Sequence, residues 1–443
     1  MKYSLWKSLR IAGVAGLVGA GIAVAVATSA APQTSAAASV NLAQAQPSTA
    51  LAVMIERGRY VAISGDCIAC HSAHGSRQPF AGGLALATPF GKLLASNITQ
   101  DVKTGIGGWT EAEFTRAVRQ GKGKHGEHLY PAMPYNAYVK ITDADMHDLW
   151  AYMKTIPPVD HEVVSNQLPF PFKLRFLMSF WNILFFDDKP FKGDPAQTAE
   201  WNRGAYLAGG LAHCAACHTG KNFLGGDSKA AFAGGMLGSW YAPDITSGTG
   251  GLRDWTNAQT VAYLKTGGNV KSMASGPMAE AIENSLQHMR ESDLQAIAVY
   301  LKSIPGPDAA RRPAPLTADT TLMKLGAHVY EVNCAACHSS NGKGLDGLVT
   351  ALAGNSALQA DQHGNLINAI LRGTRPAVTL GKPTGAGMPA FAWKLSDDEI
   401  AAVATYVRNQ WGNAAAPVPA SRVAAARKDL SAPAKLRFST AAN

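Results

Sequence analysis

A chain of 443 residues is long for a single core and suits about three domains of roughly 150 residues each. Its 47% hydrophobic and 16% charged residues are those of a globular protein, so disorder is expected only toward the ends. The net charge of +9 becomes +6 once the basic leader residues Lys2, Lys7 and Arg10 are set aside. That modest excess suits anionic lipid or an acidic partner, and with no long basic run it speaks against nucleic-acid binding.

The charged N-terminus leads into an uninterrupted small-apolar run from Ile11 to Ala27 and then into Ser29, Ala30 and Ala31, the pattern of an export signal. An uncleaved anchor would want about 20 apolar residues, more than this run offers. A signal peptide is therefore expected over residues 1–30, with cleavage between Ala27 and Ala38. A flexible Ala/Gln/Ser/Pro-rich lead-in should follow over 31–49.

From there the chain repeats itself. Three segments open on short helix-like stretches, Arg57-Gly58-Arg59-Tyr60-Val61, Arg203-Gly204-Ala205-Tyr206-Leu207 and Leu325-Gly326-Ala327-His328-Val329-Tyr330, and each leads to a Cys-x-x-Cys-His. In the first two, a loop then carries Asn97-Ile98-Thr99 or Asp244-Ile245-Thr246, followed by Trp109-Thr110 or Trp255-Thr256. Thr110 with Glu113, and Thr256 with Gln259, have capping-box spacing, so a helix should start at each and end at Gly121 and Gly267. The third segment lacks the Trp-Thr pair but has a similar Leu371-Arg372-Gly373. Amphipathic helices close the segments, from Thr142, Ser292 and Ser396, with Pro157 and Pro305 stopping the first two. The expected architecture is all-α: three consecutive small helical domains at 50–160, 201–306 and 319–412. A linker with an aromatic segment fills 161–200, a short linker 307–318, and a flexible Ala/Pro-rich tail 413–443.

All six cysteines fall into the three motifs, Cys67-Ile68-Ala69-Cys70-His71, Cys214-Ala215-Ala216-Cys217-His218 and Cys334-Ala335-Ala336-Cys337-His338. On one helical turn, two thiols three residues apart reach both vinyl groups on one porphyrin edge, and the following histidine lies under the iron. A thioredoxin-type disulfide would sit in a βαβ pattern, which is missing here, and zinc knuckles pair neighbouring motifs, whereas these begin far apart at 67, 214 and 334. The expectation is three covalently bound haem c groups, with His71, His218 and His338 as proximal iron ligands. Met133, Met278 and Met388 follow those histidines by 62, 60 and 50 residues, in turn-rich stretches before the closing helices. They are the expected sixth ligands, with Met273 a competitor for Met278. Met146, Met153, Met178 and Met289 are read as core fillers, and His74, His125 and His128 as residues of a polar surface loop.

These motifs, together with Leu129-Tyr130-Pro131-Ala132-Met133-Pro134-Tyr135, Gly276-Pro277-Met278-Ala279-Glu280-Ala281-Ile282 and Leu168-Pro169-Phe170-Pro171-Phe172, resemble the trihaem cytochrome c subunits of bacterial membrane-bound dehydrogenases acting on gluconate, alcohols, sorbitol or fructose. The resemblance covers about Ala52 to Gly412 and implies that the fold is all-α, with three consecutive class I cytochrome c-like domains. It implies electron relay to ubiquinone from a large dehydrogenase subunit with a flavin or quinone cofactor, accompanied by a small third subunit. It also implies a place on the periplasmic face of the inner membrane, with no catalytic residues in this chain. Some members end in a hydrophobic anchor, which this sequence lacks. The aromatic stretch from Leu174 to Phe186 could replace it at the membrane surface or simply pack between domains. A multihaem peroxidase, with one iron left open, and a freestanding electron shuttle are the alternative functions.

Overall fold

The fold is seen in a computed structural model that describes residues 42–307 and 313–431. The expected signal peptide and most of the lead-in lie outside the described residues. The first segment comprises α1 (Leu42–Ser64), α2 (Cys67–His71), the hairpin β1 (Ala85–Thr88) and β2 (Gly91–Leu94), α3 (Glu111–Gln120), α4 (Tyr135–Tyr138) and α5 (Asp143–Met153). Between segments run β3 (Asn166–Gln167) and α6 (Leu177–Phe185). The second contains α7 (Ala199–Tyr206), α8 (Ala215–His218), the hairpin β4 (Gly235–Leu237) and β5 (Trp240–Ala242), α9 (Asn257–Thr266), α10 (Pro277–Asn284) and α11 (Glu291–Ser303). The third contains α12 (Thr321–Asn333), α13 (Ala335–His338), α14 (Gly364–Arg372), α15 (Asp397–Val407) and α16 (Ala420–Ser431).

Local chemistry explains the helix ends. Thr110 and Glu113 cap α3 reciprocally, Thr256 and Gln259 do the same for α9, and Ser396 with Glu399 for α15, each pair satisfying two orphan amides of a first turn. Both α3 and α9 stop where Gly121 and Gly267 turn to φ of 61° and 81°, a conformation that glycine adopts without strain. Helix α11 starts at Glu291, slightly ahead of the expected Ser292, with Arg290 at its cap and no side-chain hydrogen bond there.

The structure is mostly helical as expected, with two small sheets added. β1 and β2 pair antiparallel, Ala85 opposite Leu94, and β3 adds to β2 through Lys92 and Gln167; β4 and β5 pair with Gly235 opposite Ala242. Strands of two to four residues are too short to leave a readable alternation, yet they satisfy the backbone groups of a loop folded against protein. Two corrections concern the ends. Helix α1 begins inside the expected lead-in, and the expected flexible tail is instead folded as far as Ser431. Asn413, Val418 and Val423 are buried, and α16 packs on α15.

Each segment is held by the crossing of its opening and closing helices at a glycine. A Cβ on Gly58, Gly204 or Gly326 would lie 1.8, 2.0 or 2.3 Å from the carbonyl oxygen of Asp148, Ala296 or Ala402. The same atom would crowd the Cβ of Tyr152, Tyr300 or Tyr406. Alanine normally favours a helix interior over glycine by up to about 1 kcal/mol. Here the obstacle is rigid backbone, and overpacking that costs about 1–3 kcal/mol outweighs the gain. Gly326→Ala is therefore expected to lower the melting temperature of the third segment, followed by circular dichroism; an unchanged or raised value would refute the crossing.

The crossing also sets a register that joins the first two segments. Two residues after the crossing glycine stand Tyr60, Tyr206 and His328, and three residues before the contacted carbonyl stand Asp145, Asp293 and Glu399. Tyr60 donates its hydroxyl to Asp293 at 2.5 Å, and Tyr206 reciprocates toward Asp145, so two equivalent tyrosines clasp each other's closing helix. Arg203 forks onto Asp293 at 2.7 and 2.9 Å, and Arg57 forks onto Asp148. One continuous apolar core accordingly includes Val61, Leu149 and Met153 beside Leu207, Leu211 and Ile297. The third segment, with histidine in place of the tyrosine, has its own core around Val329, Ile370, Ile400 and Val407.

Candidate haem attachment sites

Short helices carry each Cys-x-x-Cys-His: α2 includes its whole motif, while α8 and α13 begin just after Cys214 and Cys334. The chain enters α2 through Asp66 at φ 51°, a left-handed residue that re-aims the backbone after α1. One turn of helix puts each pair of thiols on one side with the histidine following. None of the six cysteines is joined in a disulfide. Burial pushes Cys67, Cys70 and Cys214 up to about 12 and Cys334 up to about 11. A redox-active disulfide pair needs a thiol held low, which is the opposite of this setting. Among the described residues no cluster of three or more His, Cys, Asp or Glu is arranged to hold a metal ion directly.

The histidines are prepared for ligation. Nδ1 of His71 donates to the Ser96 carbonyl at 2.7 Å, and Nδ1 of His218 to the Pro243 carbonyl at 2.7 Å, each partner lying 25 residues downstream. A carbonyl can only accept, so the proton sits on Nδ1 and Nε2 keeps its lone pair free for a metal. Burial lowers the pKa of both rings, favouring the neutral form that ligation requires. Nδ1 of His338 is buried and meets the Thr350 backbone at less than full hydrogen-bond geometry. Sequence reasoning missed these supports. Their signal was the repeated Asn-Ile-Thr and Asp-Ile-Thr, because the supporting carbonyl belongs to the residue just before each. The motif's own side chains lock the loop: Thr99 donates to Asn97, and Thr246 donates to Asp244.

The methionines are placed by a shared register. The amide of Leu129 closes on the Gly121 carbonyl at 2.7 Å, and that of Ala274 on Gly267 at 2.8 Å. Counting four residues on from each reaches Met133 and Met278, so Met278 stands where Met133 stands and Met273 stands where His128 stands. Both are half-buried against the shared core. Met278 lies in the first turn of α10 rather than in the expected turn-rich loop. Met388 packs on the third core, and its backbone pairs with Thr374 through bonds of 2.8 and 3.0 Å. Met146, Met153 and Met289 are deeply buried, and Met178 packs beside Leu93, Tyr130 and Leu168. His128 is not a loop residue facing water: its Nε2 meets the Ser179 hydroxyl at 2.9 Å under α6.

The first two motifs come together. Helix α10 packs on α2, and Tyr138 donates its hydroxyl to the Gly65 carbonyl at 2.5 Å while stacking edge-on against His213, so the entries to the two motifs adjoin. The third segment reaches the second through Arg375, which forks onto Glu283, through Leu380, whose amide donates to Gln287 at 2.9 Å, and through Asn365, bonded twice to Tyr241. The second segment thus contacts both others.

Paired thiols on a helical turn, a histidine with Nε2 left bare and a methionine folded back onto the same core define a c-type cytochrome, and the family model described as cytochrome c matches residues 55–157 and 323–411. The chain is 40% identical to the fructose dehydrogenase cytochrome subunit of Gluconobacter japonicus, across 85% of this chain and 83% of that one. It is 38% identical to the gluconate 2-dehydrogenase cytochrome c subunit of Pantoea cypripedii (85% and 90% covered) and 35% identical to the cytochrome c subunit of the quinone alcohol dehydrogenase of Gluconobacter oxydans (81% and 79%). It belongs to the family of cytochrome c subunits of fructose, gluconate 2- and alcohol dehydrogenases.

Proposed function

We propose that this chain is the trihaem subunit of a periplasmic, membrane-bound dehydrogenase complex. It relays electrons to ubiquinone from a large subunit that oxidises a sugar acid, polyol or alcohol with a flavin or quinone cofactor. A small third subunit completes the assembly. Haem c, when bound, supplies reversible one-electron chemistry. The chain's residues do the rest. Cys67 and Cys70, Cys214 and Cys217, and Cys334 and Cys337 tether it; His71, His218 and His338 ligate through Nε2; Met133, Met278 and Met388 provide thioether ligands, which favour the ferrous state and raise the potential.

The observation that carries this reading is the meeting of the first two motifs, where α10 packs on α2 and Tyr138 spans Gly65 and His213, with the third segment docked on the same second segment. Attachment segments held in contact with one another suit a relay, whereas a single-site enzyme does not require them. Haem counting by the pyridine haemochrome method is expected to give three per chain, and mass spectrometry of gently solubilised membranes a stoichiometric flavin or quinone dehydrogenase. Fewer haems would overturn the trihaem assignment; purification alone would overturn the complex.

A further inference from the structure

The stretch between the first two segments does two jobs at once. The inner face of α6 packs on the protein: Asn182 accepts from the Tyr135 hydroxyl at 2.7 Å, Ser179 meets His128, and Trp181 stacks edge-on against Tyr135. Its outer face carries Phe176, Phe180, Ile183 and Leu184, all exposed, Ile183 at 80%.

Three parts of the chain contribute to this one surface. Trp181 donates to the Leu224 carbonyl at 2.9 Å, which brings Phe223, 87% exposed, alongside α6. Phe90, at the tip of the β1–β2 hairpin, stacks on Phe172 at 5.0 Å and also lies beside Gly225. Aromatic and aliphatic side chains from two segments and the connection between them therefore adjoin, with Phe172, Phe176, Phe180, Ile183, Leu184 and Phe223 exposed, which is more than the scattered exposed residues of an ordinary surface.

We infer that this surface docks on an anionic lipid bilayer, entering the interfacial layer without crossing it. The inference rests on the membrane-bound reading above and names the residues that make the contact. Three observations select lipid over protein. The side chains protrude, with exposures suited to a fluid apolar phase. The flanks are cationic, with Lys173, Lys189 and Lys192 exposed, and between residues 170 and 192 four basic residues face two acidic ones. A nine-residue helix is about 14 Å long, half of a bilayer core of roughly 30 Å, and no helix of the described residues is long and apolar enough to span one. Docking in this pose lays the loop from His128 to Tyr135, with Met133 in it, directly under the membrane-facing helix.

The test uses the haem-loaded full chain and vesicles of phosphatidylethanolamine and phosphatidylglycerol, with phosphatidylcholine vesicles for comparison. The unaltered protein is expected to sediment with the anionic vesicles, less so with neutral ones or in high salt. Phe180→Glu together with Ile183→Glu should lower the partition coefficient by about tenfold or more, because both lost burials act together with charge. Trp393→Glu, at an equally exposed site on the third segment, should leave it unchanged. Equal sedimentation of the double variant overturns the inference, as does no sedimentation of the unaltered protein. A double variant that still binds vesicles but loses a dehydrogenase partner assigns the surface to protein instead. Haem content and the reduced spectrum of each variant report separately on the trihaem reading.

Discussion

On the proposed trihaem reading, replacing Cys214 and Cys217 together by alanine should reduce the haem content from three per chain to two and nearly abolish electron delivery from the proposed dehydrogenase partner to ubiquinone. The second segment touches both others: α10 packs on α2, and Glu283 and Gln287 hold the third segment's loop from Arg375 to Leu380. Loss of either end would shorten a relay, but loss of the middle breaks it. The variant should keep its helical circular dichroism and its ability to reduce a small soluble acceptor from whichever haem receives electrons first. Unimpaired quinone reduction with two haems would show that the central site lies off the path, and would sink the linear arrangement.

The second large effect is expected at Asp293. This carboxylate, with its side chain 8% exposed, accepts from the Arg203 fork within its own segment and from Tyr60 of the first. Asp293→Ala strands the guanidinium and frees the tyrosine. Removing one partner of a buried pair costs about 3–5 kcal/mol, and the partial exposure of Arg203 places this case near 3. Burial alone would raise the Asp293 pKa, but Arg203 and Tyr60 hold it below the ordinary carboxylate value. A depressed folded value means that the stabilisation is complete above the unfolded pKa of about 3.9 and is lost as pH falls through the lower folded value. Acid unfolding of the unaltered chain should therefore steepen below about pH 4, and the Asp293→Asn chain should lose that component. Asp148→Ala provides the comparison, since its Arg57 partner is more exposed and no tyrosine crosses to it. A smaller loss at Asp293 than at Asp148 would argue against the clasp.

The sequence by itself determined whatever depends on short-range spacing. The three Cys-x-x-Cys-His motifs, the capping boxes at Thr110 and Thr256 and the stops at Gly121 and Gly267 are local rules, decided within a few residues by covalent geometry and helix-end hydrogen bonding. Tertiary structure alone decided which residues meet across long separations. It joined Tyr60 to Asp293 and Tyr206 to Asp145, fused two segments into one core, and gave His71 and His218 their carbonyl partners. It also folded part of the expected tail onto the third core and turned an ambiguous aromatic linker into a helix with one packed and one bare face. Those outcomes turn on which apolar surfaces find each other once the helices cross. The pattern of a single helix shows that it has an apolar face, but the partner that covers it is fixed only by the assembled fold.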